Sequence, residues 1–146
     1  VTGMVAGLAT VTPASGYIGV PGGLILGFFG GLLCYLAADY IKGKLQIDDS
    51  LDVFAVHGVG GILGTLLVSF LATSSFSGLG LAGGQTGLSQ FIVQLKAVAL
   101  TVIWTSLFTY LILKLTSFIV PLRVDEQEEI EGLDLRSHGE KGYHSD

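Results

Sequence analysis

His57 is the residue in this sequence whose type and position offer the most chemistry. It lies within residues 53–95, a stretch of 43 residues that contains no Asp, Glu, Lys or Arg. An imidazole in so apolar a segment is costly unless it is paired or lines a cavity, and an ionisable group inside a membrane span is a functional candidate by default. Desolvation penalises the charged form, so we expect an uncharged ring. Such a ring has one hydrogen-bond donor and one acceptor, which suits a small neutral ligand or a proton relay.

Helical spacing predicts the neighbours of His57. On one side are the apolar residues Val53 and Phe54. On the other side are Gly60, Gly61 and Gly64, which present only backbone. This pattern indicates a narrow, poorly hydrated environment. The alternative is a structural histidine that is hydrogen-bonded to a neighbouring helix. No second His, Cys or Asp stands at ligand spacing on this face, so we expect neither a metal site nor a cofactor.

Three carboxylates precede the same helix, at Asp48, Asp49 and Asp52. Acids at the start of a helix oppose the positive end of its dipole and accept hydrogen bonds from its free N–H groups. The residues alone therefore predict helix capping there. The tail histidines, His138 and His144, lie among polar residues and are expected to be solvated.

The composition restricts the classes of protein to which this sequence can belong. Of the 146 residues, 50% are hydrophobic and 13% are charged, with a mean hydropathy of +0.69. A soluble domain carries about a quarter of its residues as charged side chains. The charges are also uneven, because residues 1–38 have none and eleven of the nineteen fall in the last 24 positions. This distribution disfavours a soluble enzyme, a nucleic-acid-binding protein and a disordered chain, and it indicates an apolar membrane body with an acidic tail.

Three segments are long enough to cross a membrane, which takes about 20 apolar residues. They are residues 22–41, 50–72 and 88–120. Residues 1–12 are apolar but short and stop before Pro13, so we interpret them as the end of another span. The sequence thus divides into a transmembrane region, 1–122, and a polar tail, 123–146. A helix over 88–120 would be about 50 Å long, which predicts a strong tilt in the membrane.

Basic residues predict the orientation in the membrane. Lys42 and Lys44 lie in one connection, and Arg123 follows the last span two crossings later. The positive-inside rule places both segments on the cytoplasmic side. The uncharged loop 73–87 then faces out.

Glycines predict close helix packing. Nineteen of the 22 glycines fall within residues 1–87, several of them four residues apart. They are Gly3 and Gly7; Gly23, Gly27 and Gly31; and Gly60 and Gly64. Because helices in lipid associate through close approach at small residues, this spacing favours tight packing, although it names no partner.

Three motifs carry a resemblance to a known family. The sequence DDSLDVFAVHGVGG, residues 48–61, closely resembles the signature of the ammonium transporter family (Amt/Mep/Rh). So do AGLATVTPA at 6–14 and the tail segments EGLD and SHGE within 131–140. The motifs follow the family's order and extend over nearly the whole chain. Ala55 stands where the family usually has Gly, which adds a methyl group near a tight helix contact.

This resemblance implies an all-α, polytopic membrane protein. The family fold has eleven helices, built as two inverted five-helix repeats and a long oblique last helix, and it assembles as a trimer with one pore per subunit. The chain would be the C-terminal portion, from the end of helix eight to the tail. The resemblance further implies a cell-membrane location, a cytoplasmic C-terminus and a possible PII-type regulatory partner at the cytoplasmic face.

The resemblance also assigns roles to individual residues. His57 matches the second of two pore histidines, Val53 a pore-lining apolar position and Thr12 a hydroxyl near the conduction path. Asp49, which stands with Asp52 at the helix start, matches a structurally important acid. The implied activity is transport of ammonium or ammonia through a hydrophobic pore, with ammonium deprotonated before conduction. The alternatives are an ammonium sensor with the same fold and a helical membrane scaffold, and in none of these is the chain an enzyme.

Overall fold

The computed structural model describes residues 2–142. In that range the chain forms helices and turns and no strand, which confirms the all-α prediction. The longer helices and the tail helix, numbered in chain order, are α1 Thr2–Val11, α2 Val20–Gly43, α3 Phe54–Leu71, α4 Gly87–Ser117 and α5 Glu126–Glu131. Helices α2, α3 and α4 are long and apolar enough to cross a membrane, so the three predicted spans are confirmed.

The helix ends follow local chemistry. α1 stops at Val11, and a single 3-10 turn at Thr12–Ala14 includes Pro13, as expected for a residue without an N–H group. α2 has Pro21 in its first turn, where no hydrogen bond is lost, and Lys42 in its last turn, where a cation meets the negative end of the dipole.

The start of α3 departs from an ordinary α-helix. The span was predicted from residue 50, but the helix begins at Phe54 because Asp52 has a left-handed backbone, with φ of 56°. Its first segment, Phe54–Val59, is π-helical, and Gly60–Leu71 is α-helical. A π-turn holds more residues per turn than an α-turn, so it rotates the residues on its two sides relative to each other. Such turns are rare and are frequent at functional sites.

Residues up to Thr101 form one compact unit, in which α1, α2 and α3 pack through glycine. A methyl group added at Gly7 would lie 3.1 Å from the carbonyl oxygen of Gly27, and one at Gly31 would lie 3.1 Å from that of Gly3. These contacts confirm the predicted close packing of α1 and α2. Gly23, which was placed in the same row, faces open space.

Thr10 is the central packing residue of this unit. Its side chain is fully buried, and its hydroxyl donates to the carbonyl of Ala6 at 2.8 Å. The side chain of Thr10 fills the space that the missing side chains leave at Gly30 of α2 and Gly60 of α3, and its backbone carbonyl lies against Gly64 of α3. One small polar residue thus sets the spacing of three helices. Cys34 is buried beside it, with Sγ 3.9 Å from the Thr10 hydroxyl.

Residues from Val102 onward form a second unit. It contains the last part of α4, where the Trp104 and Phe108 rings lie 4.3 Å apart, and the tail. In the tail, Asp125 caps α5 by accepting from Glu128 N–H at 2.8 Å. A further π-helical turn follows at Asp134–His138. The boundary at residue 122 between membrane region and tail stays a prediction.

Candidate functional site

His57 lies in the π-turn and is exposed. Two apolar neighbours share this exposure, Val53 at 51% and Phe54 at 61%. We call Val53, Phe54 and His57 the His57 face. The structure therefore brings together a titratable ring and the apolar side chains that the sequence predicted beside it.

Two glycines that follow His57 pack against α1. Gly60 and Gly64 are buried against Thr10, whereas His57 is exposed. Their predicted place beside the ring stays a prediction. A Cβ added at Gly61 would meet open space.

Asp49 holds the beginning of α3. Its Oδ1 accepts from Val53 N–H at 2.8 Å, and its Oδ2 accepts from Phe54 N–H at 2.9 Å. One carboxylate thus satisfies two N–H groups that the helix itself leaves without partners. Because these are the residues just before His57, Asp49 fixes the backbone from which the ring projects. The predicted capping role is confirmed for Asp49.

Asp52 has a different task. Its carbonyl accepts the first helical hydrogen bond, from Val56 N–H at 2.8 Å. Its carboxylate does not cap the helix but lies 2.8 Å from Lys42 Nζ at the end of α2. The carboxylate side chain is 16% exposed and the lysine side chain 43%. Asp52 therefore ties the start of α3 to α2.

Thr12 lies in the turn that follows α1. Its hydroxyl donates to the carbonyl of Leu8 at 2.8 Å, on an exposed part of the helix. The hydroxyl proton of Thr12 is therefore donated to a residue only four positions earlier in the chain. The role of Thr12 near a conduction path stays a prediction.

The enclosed bore expected around His57 is not formed by residues 2–142 alone, since they leave this side chain exposed. A wall would have to come from residues outside that range or from another subunit. The enclosure of the ring is therefore still a prediction. In the tail, His138 is exposed as expected, and His144 lies outside the described residues.

Sequence reasoning missed two residues that position this site. Thr10 was passed over in favour of Thr12, although a small hydroxyl residue four positions after Ala6 can bond back to its helix and pack against glycine. Lys42 was used only to orient the chain in the membrane. Its place ten residues before Asp52 gave no signal, because the loop between them decides which groups meet.

Comparison with known proteins gives a consistent result. Residues 1–143 match the model of the Ammonium Transporter Family. The chain is 44% identical over 144 residues to ammonium transporter Amt1 of Archaeoglobus fulgidus, covering 98% of this chain and 36% of that protein. It is 39% identical over 144 residues to an ammonium transporter of Bacillus subtilis, with the same coverage. A solved structure described as a sensor Amt protein superposes with a TM-score of 0.81 at 31% identity, over 94% of this chain and 33% of that one.

Proposed function

The chain belongs to the ammonium transporter family, and from that premise we propose that it forms part of a transmembrane path for ammonium or ammonia, lined by His57. The chain spans about a third of the length of the curated relatives that it matches, 36% in each case. The opposite wall of the path, including a second histidine that faces His57, is therefore assigned to the rest of the polypeptide.

The observation that carries this proposal is the His57 face itself. A single imidazole projects from an apolar surface of a membrane-capable helix, next to Val53 and Phe54. Its backbone is fixed by the two hydrogen bonds to Asp49 and by glycine packing behind it. An imidazole on an apolar surface suits a solute path better than lipid contact, because an imidazole facing hydrocarbon would be unsatisfied.

The physical mechanism follows from the cost of moving charge. Placing an unpaired ammonium ion in a low-dielectric bore carries an idealised desolvation cost of tens of kcal/mol. Removing its proton leaves neutral ammonia, which passes an apolar bore without that cost. The uncharged His57 ring accepts or donates one hydrogen bond and so orients ammonia, and a histidine pair provides a route for the proton. Potassium has no proton to lose, so deprotonation also gives selectivity.

The surrounding assembly is part of the proposal. The family assignment supports a homotrimer in a cell membrane, with the lipid bilayer around it. Lys42, Lys44 and Arg123 support a cytoplasmic C-terminus by the positive-inside rule. The acidic tail at that face is then available to a PII-type regulatory protein.

One observation favours a second candidate function, ammonium sensing. The structural relative at 31% identity is described as a sensor. In a sensor the same site would bind ammonium without sustained flux. The two functions differ in whether substrate crosses the membrane.

The test is reconstitution of the complete polypeptide into liposomes, with ammonium flux and potassium flux measured for wild type, His57→Ala and His138→Ala. We expect wild type to transport ammonium, His57→Ala to lose flux or to admit potassium, and the exposed tail variant His138→Ala to behave as wild type. Ammonium binding without flux in wild type would favour the sensor. Unchanged ammonium flux and potassium rejection in His57→Ala would contradict the proposed path.

A further inference from the structure

The left-handed backbone of Asp52 sets the direction in which α3 leaves the preceding loop. Its φ of 56° is unusual for a residue with a side chain, although Asp tolerates it better than most. The same residue provides the carbonyl that accepts the first helical bond, from Val56 N–H. A return of Asp52 to an ordinary conformation would therefore redirect the start of the π-turn that carries His57.

Lys42 contacts the loop at and near Asp52. Its Nζ lies 2.8 Å from Asp52 Oδ1 and 3.5 Å from the carbonyl oxygen of Ser50. One ammonium thus bridges two points of the loop, on either side of Leu51. Lys42 is itself well placed, since it lies in the last turn of α2 and is stabilised by the negative end of that helix dipole.

The contact between Lys42 and Asp52 affects His57 through the π-turn. Turns of this kind are rare, so the segment needs outside support to keep the extra residue. Asp49 supports it through the N–H groups of Val53 and Phe54, and its carbonyl also accepts from Asp52 N–H at 3.0 Å, but it is Lys42 that contacts the Asp52 carboxylate. If the loop relaxed and the extra residue were expelled, His57 would rotate by about 100° relative to Gly60, the angle of one helical residue.

We propose that Lys42 is a positioning residue for transport. By contacting the Asp52 carboxylate and the Ser50 carbonyl, Lys42 keeps the π-turn in its observed conformation, and so keeps the His57 ring oriented toward the solute path. This inference rests on the proposed function. Asp39 lines the same cavity of about 500 Å³ as Lys42 and Asp52, but the close ion pair of Lys42 is with Asp52. The specific link to test is therefore between Lys42 and the backbone of Asp52.

The experiment measures ammonium flux per folded molecule in liposomes that contain the complete polypeptide. A left-handed residue is disfavoured on the order of tenfold without support, so we expect Lys42→Met to lower flux by about that factor. Lys42→Arg, which keeps the cation, should restore most of it. Lys44→Met is the matched control, because Lys44 Nζ lies over the Tyr40 ring, 5.8 Å from its centroid.

Asp52→Gly separates positioning from general damage. Glycine adopts a positive φ freely, so it removes the need for a holding contact. We expect Lys42→Met to change flux by less than about twofold in the Asp52→Gly background, compared with Asp52→Gly alone. A role in folding alone would lower the yield of folded protein and leave flux per molecule unchanged.

Two results would overturn the inference: a Lys42→Met flux equal to that of Lys44→Met, or an effect of Lys42→Met that is undiminished with Asp52→Gly. His57→Ala is measured in parallel. If His57→Ala impairs transport while Lys42→Met does not, the positioning role fails and the proposed function stands. If His57→Ala changes nothing, the proposed function itself fails.

Discussion

Gly64 lies so close to the carbonyl oxygen of Thr10 that no side chain fits between them. The contact is made by backbone, which cannot swing aside as a flexible side chain would. It joins α1 to α3 one helical turn beyond Gly60, whose missing side chain leaves room for the Thr10 hydroxyl. The helix that carries His57 therefore packs directly against α1 at Gly60 and Gly64.

This contact predicts that Gly64→Ala destabilises the protein. The added methyl group must displace backbone, and overpacking of this kind costs about 1–3 kcal/mol. The measurement is thermal unfolding of the complete protein in detergent. Gly61→Ala is the control, because open space surrounds Gly61 in the described residues. Equal unfolding temperatures for the two variants would show that the close approach is not a structural constraint.

Asp49→Ala is predicted to loosen the start of α3. It removes both acceptors for the Val53 and Phe54 N–H groups, and loss of a helix cap costs about 0.5–2 kcal/mol. Hydrogen exchange at these two amides should accelerate, with a smaller change in Asp49→Asn, which keeps one acceptor. Ser50→Ala is the matched control, since that hydroxyl bonds Asp48 at 3.0 Å. Slow exchange retained in Asp49→Ala would rule out the capping role.

Val53→Phe is predicted to lower ammonium flux without lowering stability. Val53 lies four residues before His57 and is 51% exposed. A larger side chain there would therefore narrow the proposed path without disturbing the packed core. The measurement pairs liposome flux with thermal unfolding. Flux that is unaffected by Val53→Phe would show that Val53 does not line the path.

The tail provides a pH prediction. Hydrogen bonds from Arg123 to both carboxylate oxygens of Glu129, at 2.5 and 2.8 Å, lower the pKa of Glu129 below its ordinary value of 4.5. Because the pKa is lowered in the folded protein, the contact contributes its full stabilisation above pH 4.5. That stabilisation is lost as the pH falls through the lowered pKa. Carboxyl ¹³C titration should find the pKa of Glu129 below 4.5, and Arg123→Met should raise that pKa. Identical titration with and without Arg123 would refute the pairing.

The membrane helices could be predicted because their signal is long and redundant. About 20 apolar residues between charged or glycine-rich connections leave little choice, so α2, α3 and α4 were found within a few residues. Capping at the start of α3 was predicted because carboxylates there can accept from free N–H groups; Asp49 does so, whereas the Asp52 carboxylate pairs with Lys42.

The finer features escaped because each depends on a local geometry that the pattern does not encode. A π-turn adds one residue to a turn without altering the apolar run, so the sequence pattern does not reveal the one at Phe54–Val59. The Lys42–Asp52 pair depends on the path of the loop between them. The tail helix did leave a signal that went unused, because Asp125 followed by Glu128 is a typical helix start.

The environment of the His57 ring in the complete assembled protein is the most direct test of the proposed path. A cryo-electron microscopy structure of the full polypeptide in a lipid nanodisc would place the ring against its actual neighbours. We predict a ring shut off from both lipid and bulk water, with a second imidazole within hydrogen-bonding distance. A ring that faces acyl chains, or one that is open to bulk water, would contradict the role assigned to His57.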